Sequence, residues 1–158
     1  MAEEKKHQTR LTIVTPYENF FEGSADAVIL PSRDGEVGIM AGHMPLVLAL
    51  FPGILTIRTG NEKRACVISE GYAEIGQHMV LVVTNSAEWP DTINVKRSFD
   101  SLTKYTEMLK EVSYSDYKAT IYKEYIDRAK ARLHLIELYG SDKQKEKLAQ
   151  LREAQSGS

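Results

Sequence analysis

The feature that most narrows the fold of this chain is a change of texture at Trp89-Pro90-Asp91. Before it, short apolar runs rich in β-branched residues are punctuated by Gly, Pro, Asn and Asp. After it, neither Gly nor Pro occurs until Gly140, and the apolar residues fall at helical spacing. Side chains return to the same face every two residues on a strand but about every 3.6 on a helix, so one kind of element cannot serve both stretches. An all-β part followed by an all-α part is therefore expected, α+β overall.

Candidate strands occupy residues 11–15, 25–30, 36–40, 46–50, 54–58, 64–69, 72–75 and 79–84, with turn signals at Arg33-Asp34-Gly35, Phe51-Pro52-Gly53 and Thr59-Gly60-Asn61. Many short strands with no helical run between them predict an antiparallel β-sandwich or barrel over residues 1–90. Beyond the break, Phe99, Leu102, Tyr105, Leu109 and Val112 form one stripe, and Ile121, Tyr122, Tyr125, Ala129, Leu133 and Ile136 another. Ser113-Tyr114-Ser115-Asp116 supplies helix-capping side chains between them, and Gly140 supplies a stop. Residues 91–140 thus read as an antiparallel two-helix hairpin. The tail, 141–158, carries Leu148, Leu151 and Ala154 among charges and reads as a marginal helix with a disordered end, not as a third packed element.

Composition excludes several functions. With 158 residues, 42% of them hydrophobic, the chain can bury a core and a smaller appendage. A net charge of −2 argues against a nucleic-acid binder, which needs a strongly basic face. Residues 1–94 hold 7 basic and 12 acidic side chains and residues 95–140 hold 9 and 7, so the helical part is the basic one. No apolar run approaches the roughly 18 to 20 residues needed to span a bilayer. The charged residues 1–10 have no hydrophobic segment behind them, so neither secretion nor bilayer insertion is expected, while attachment to a membrane complex stays open. Cys66, within Ala65-Cys66-Val67-Ile68, reads as a core thiol in a reduced compartment, with no internal disulfide.

Catalytic chemistry finds little support. His43, in Gly42-His43-Met44-Pro45 near Asp34 and Glu36, invites comparison with a jelly-roll metal enzyme. There is no His-x-His, however, and His7, His78 and His134 are scattered, so no metal site is expected. No Gly-x-Ser-x-Gly turn presents a nucleophile, and the glycines between Gly35 and Gly42 lack the Lys-Ser/Thr of a phosphate loop. No catalytic residue is assigned. Arg128 and Arg132, four apart on one helical face with Lys123 and Lys130 nearby, fit either of two roles. They are a solvated face with partners such as Glu124, or an anion grip for phosphate or carboxylate, and spacing does not choose.

The segment Gly35-Glu36-Val37-Gly38-Ile39-Met40-Ala41-Gly42-His43-Met44-Pro45-Leu46 resembles the signature of the F-type ATP synthase epsilon subunit, Gly-x-x-Gly followed by Gly-His-x-Pro-Leu. Leu11-Thr12-Ile13-Val14-Thr15-Pro16, Pro52-Gly53, Gly71-Tyr72-Ala73-Glu74 and Val80-Leu81-Val82-Val83-Thr84 are similar to further family segments in the same order. The resemblance covers roughly residues 10–138. It implies a non-catalytic rotor subunit whose sandwich binds gamma and touches the c-subunit ring, coupling proton or sodium flow to ATP synthesis. Gly35, Gly38, Gly42, His43 and Pro45 become the candidate interface with gamma and the c-ring, the glycines allowing tight turns and close approach, His43 as a structural or interface residue. The implied location is peripheral, on the cytoplasmic face of a bacterial plasma membrane, within the synthase.

The resemblance also implies a regulatory hairpin that folds down or extends along gamma into the alpha/beta catalytic hexamer and restrains hydrolysis. Some relatives bind regulatory ATP in the folded-down form through Ile/Leu-Asp-x-x-Arg-Ala, which here reads Ile93-Asn94-Val95-Lys96-Arg97-Ser98. Glu88, Ile93, Asn94, Arg97, Ser98, Lys104, Arg128 and Arg132 are the candidate nucleotide residues, with no other cofactor implied. Asn94 and Ser98 depart from the Asp and Ala of the pattern, and Asn94 retains the ability to cap a helix. The tail after Gly140 is longer than the family's usual ending.

Overall fold

The computed structural model describes residues 7–158, and within them strands precede helices, in two compact units, one ending at Ala87 and the other spanning Glu88–Ser158. The first unit holds β1 (Thr9–Val14), β2 (Asn19–Ala25), β3 (Ala27–Ser32), β4 (Gly35–Ile39), β5 (Leu46–Leu50), β6 (Gly53–Thr59), β7 (Glu62–Ile68), β8 (Gly71–Ile75) and β9 (Met79–Thr84). The two-residue β10 (Ala87–Glu88) lies at the boundary. One sheet has the order β2-β1-β9-β8-β5 and the other β10-β7-β6-β3-β4. This is the β-sandwich that the first texture implies.

Period-two alternation builds the core. Leu11 and Ile13 of β1, Ala73 and Ile75 of β8, and Val80 and Val82 of β9 are buried from one sheet, as are Val28 and Leu30 of β3, Leu55 of β6 and Cys66 of β7 from the other. The Phe51-Pro52-Gly53 turn carries the chain between sheets, where a Cβ on Gly53 would stand 2.7 Å from the Pro31 ring. Gly71 is tighter still. A Cβ there would lie 1.9 Å from the Val83 carbonyl oxygen, so the β8 and β9 pairing admits glycine alone at that position.

Two features depart from the sequence reading. β2 was not expected, because Asn19, Gly23 and Ser24 dilute its apolar residues; as an edge strand it is paired on one side, to β1, and needs no strong alternation. The β1 and β9 pairing is parallel, not antiparallel, as the long intervening chain permits.

The second unit opens with a single 3-10 turn, Pro90–Thr92, and contains α1 (Val95–Lys110), α2 (Tyr117–Tyr139) and α3 (Asp142–Ser156). Asn94 caps α1 by accepting the Arg97 N–H at 2.9 Å, and Asp116 caps α2 by accepting the Lys118 N–H at 2.9 Å. α1 and α2 form the hairpin, with Tyr105 stacked on Tyr125 at 4.6 Å between centroids and 12° between planes. The buried side of α2 differs from the expected stripe. Ile121 and Tyr125 are exposed, whereas Ala119, Ile126, Ala131 and Leu135 are buried, because the C-terminal half of α2 is covered around most of its circumference.

The tail forms the expected helix, but runs further and packs, against expectation. It is a 15-residue helix, opened by a capping box in which Ser141 and Gln144 exchange backbone and side-chain hydrogen bonds, and Leu148 is 2% exposed. α3 lies against α1 and α2. No helix of the described residues is long and apolar enough to cross a membrane.

Candidate functional site

The entry to α1 and the middle of α2 enclose the second unit's main candidate site. The 3-10 turn ends where the Ile93 N–H donates to the Pro90 carbonyl at 3.2 Å, and Asn94 then starts the helix. This places Ile93, Asn94, Arg97 and Ser98 on one wall. Lys104 and Tyr105 follow on the same helix, Tyr125, Arg128 and Arg132 line the cavity from α2, and Glu88 lines it beside Arg132. This open cavity measures about 620 Å³, within the roughly 300–1,000 Å³ usual for small-molecule sites.

All eight candidate nucleotide residues, Glu88, Ile93, Asn94, Arg97, Ser98, Lys104, Arg128 and Arg132, line this one cavity. Thr92, Asp100, Ser101, Tyr105 and Tyr125 also line it and were not singled out from sequence. Both tyrosines had been assigned to the apolar stripes, and the signal that they border a site is their cationic company. Arg128 lies over the Tyr125 ring at 5.6 Å and Lys104 over the Tyr105 ring at 5.3 Å, so the stacked pair orients a cation from each helix.

Charge in the cavity is predominantly positive: Arg97, Lys104, Arg128 and Arg132 against Glu88 and Asp100. Asp100 is engaged by Lys96 at 2.6 Å, outside the lining, and Glu88 accepts from Arg132 Nε at 2.5 Å. The arrangement can hold an anion through several donors at once. Two candidates are already committed within the helix start, since Asn94 Oδ1 caps Arg97 and the Ser98 hydroxyl donates to the Asn94 carbonyl at 2.9 Å.

The candidate partner residues belong to the first unit and do not converge on one point. Gly35, at φ +120°, forms the turn between β3 and β4, while Gly42, at φ +86°, lies in the loop at the other end of β4, which also carries His43 and Pro45. Both conformations favour glycine. Gly38 departs from the expectation of a turn or close approach: it sits within β4, outside the left-handed region, with open space where a Cβ would be. The loop is held by the Gly42 N–H donating to the Gln77 carbonyl at 2.6 Å, and His43 Nδ1 lies 2.8 Å from the Met44 carbonyl oxygen. Around it Met40, Met44, Leu46 and Val47 are exposed and form an apolar surface. Among the described residues no three His, Cys, Asp or Glu side chains gather to hold a metal ion.

Residues 8–90 match the family described as ATP synthase, Delta/Epsilon chain, beta-sandwich domain. Similar proteins include the ATP synthase epsilon chain of Ruminiclostridium cellulolyticum, 36% identical over 124 residues, which are 78% of this chain and 91% of that one. The ATP synthase epsilon chain of Caldicellulosiruptor saccharolyticus is 30% identical over 131 residues, covering 80% of this chain and 92% of that protein. Among solved structures, a chain of the Euglena gracilis mitochondrial ATP synthase OSCP/F1/c-ring assembly shares the fold, with a TM-score of 0.69 at 23% identity over 81% of this chain and 80% of that one.

Proposed function

The chain belongs to the family of ATP synthase delta/epsilon chains, and from that premise we propose that it is a non-catalytic central-stalk subunit of an F-type synthase, coupling ion flow to ATP synthesis. The observation that carries this reading is that the match runs through the sandwich and that the relatives are covered over about nine tenths of their length. The sandwich is the docking part, its apolar loop after β4 and the signature residues Gly35, Gly38, Gly42, His43 and Pro45 meeting gamma and the c-ring. Its place is peripheral, on the cytoplasmic face of a bacterial plasma membrane.

The second unit is the regulatory part. Its α1 and α2 hairpin folds down or extends toward the alpha/beta hexamer and restrains hydrolysis, and the cationic cavity is where regulatory ATP holds the folded form. Convergence of the eight candidate residues on one cavity supports this assignment. Arg128 and Arg132 act there as the anion grip. Reconstitution with gamma and the catalytic hexamer tests the proposal: the chain should bind gamma stoichiometrically and lower ATP hydrolysis. Failure to bind gamma overturns it, and ATP titration of the isolated chain decides the nucleotide role separately.

A further inference from the structure

α3 has a single docking stripe. Gln144, Leu148 and Leu151 fall four and three residues apart; Leu148 is buried, the other two are half-buried, and the rest of the helix is exposed. Its contacts reach three separate pieces of the second unit. Gln144 Nε2 donates to the carbonyls of Pro90 at 2.8 Å and Ile93 at 3.2 Å, in the segment that enters α1. Arg152 pairs with Glu137 on α2, and Gln155 Nε2 stands 3.5 Å from the Thr103 hydroxyl on α1. The helix starts from a defined pivot, since a Cβ on Gly140 would lie 2.6 Å from the Ile136 carbonyl oxygen, which keeps that corner glycine.

We propose that α3 is a reversible strap that holds α1 and α2 in the folded hairpin and has to lift before the hairpin can extend. This rests on the reading that the hairpin extends at all. A strap must touch both moving helices and the segment about which they swing, and α3 touches all three. It must also be weakly held. One buried leucine, one half-buried leucine, two part-buried hydrogen bonds and otherwise exposed polar contacts make a hold that a partner's surface can outbid. At 15 residues and highly charged, α3 sits near the length at which isolated helices are marginal, about 12–15 residues, so lifting and melting go together.

The strap is also joined to the cavity. Ile93, whose carbonyl accepts from Gln144, lines the cavity wall, so an anion bound there and a docked α3 favour the same conformer and each strengthens the other.

Two variants of the full chain test the strap in opposite directions. Leu148→Asp frees it. Glu137→Cys with Arg152→Cys, bridged by a bis-maleimide, fixes it, with the unbridged protein as control; Cys66 is buried and its thiol pushed up to about 12 by that burial, so the reagent passes it by. In the complex with gamma and the catalytic hexamer, the freed strap should restrain ATP hydrolysis more strongly than the wild type and the bridged strap should abolish restraint. Equal restraint in wild type, freed and bridged forms overturns the strap. Absence of restraint in all of them overturns the reading of the hairpin instead, and amide hydrogen exchange of the isolated full chain then decides the strap. There, Leu148→Asp should raise exchange across α1 about tenfold or more and bridging should lower it. Unchanged exchange in both variants overturns the proposal.

Discussion

Arg132 has two roles available to it, gripping an anion or pairing with Glu88, and a double-mutant cycle separates them. The pair is half-buried, with Nε to Oε2 at 2.5 Å and side chains 26% and 34% exposed. Exposed pairs contribute about 0–1 kcal/mol, whereas hydrogen bonds to charged groups in more enclosed settings contribute about 1.5–3. The intermediate exposure places Glu88 and Arg132 at a coupling of about 1–2 kcal/mol. Arg132→Ala should therefore destabilise the chain, Glu88→Gln should do so less because the amide oxygen still accepts from Nε, and the double variant should lose less than the sum. Urea unfolding of the four proteins, followed by far-ultraviolet circular dichroism, measures the coupling. ATP titration of these proteins and of Arg128→Ala reads the second role: Arg128→Ala should weaken binding, and Arg132→Ala should weaken binding as well as lower stability. Additivity of the two single changes within about 0.3 kcal/mol would refute the pairing argument. Equal ATP affinity in all variants would remove the arginines from the anion grip.

Other consequences follow from particular atoms. Gly71→Ala would drive a Cβ to 1.9 Å from the Val83 carbonyl and should cost several kcal/mol, on the order of 3 or more, read as loss of cooperative thermal unfolding; a stable variant contradicts the β8 and β9 register. Thr9 Oγ1 is buried with no partner among the described residues, so Thr9→Val should raise stability by about 1 kcal/mol, and a lowered melting temperature would mean that the hydroxyl is satisfied. The Arg152 guanidinium, with His134 contributing less, holds the Glu137 carboxyl below its ordinary range. The stabilisation this gives to α3 is therefore complete above about pH 4.3 and is lost as pH falls through the lowered value; Leu148 methyl resonances should report loosening on acidification, and Glu137→Gln should remove that step. Asn94→Asp should keep α1 capped and alter ATP affinity, so an unchanged titration would take residue 94 out of the site.

The strands of the sandwich core were legible because their side chains alternate against a buried face, as Leu11 with Ile13 and Val80 with Val82 illustrate. β2 was not, since an edge strand is fixed by its ladder to β1, a long-range fact that Asn19, Gly23 and Ser24 do not announce. The hairpin followed from the missing glycines and prolines and from real caps at Asn94 and Asp116. The helix in the tail was legible from Leu148, Leu151 and Ala154, but its packing was not, because so short a stripe among charges has little apolar area and what docks it is a glutamine side chain reaching carbonyls more than 50 residues away. Hydrogen bonds of that range leave no period in the sequence.

The cavity was legible in part for a similar reason. Spacing alone exposed Arg128 and Arg132, and resemblance added Glu88, Ile93, Asn94, Arg97, Ser98 and Lys104, but Tyr105 and Tyr125 had the pattern of core residues and became wall residues through their stacking across two helices. Geometry then changes what Asn94 and Ser98 mean. A polar side chain in a site is available to a ligand to the extent that the protein has not already used it, and here the Asn94 acceptor serves the Arg97 N–H while the Ser98 hydroxyl serves the Asn94 carbonyl. Both substitutions thus keep the helix start intact and contribute little direct recognition. What remains to attract an anion is the excess of guanidinium and ammonium groups over Glu88 and Asp100, which is a matter of charge more than of matched hydrogen bonds. Binding through charge weakens as salt rises, whereas binding through buried, matched donors does so far less. Under the proposed function the same excess would suit phosphates in a folded hairpin and acidic side chains in an extended one, so the chemistry proposed to hold either state is carried by the same few residues.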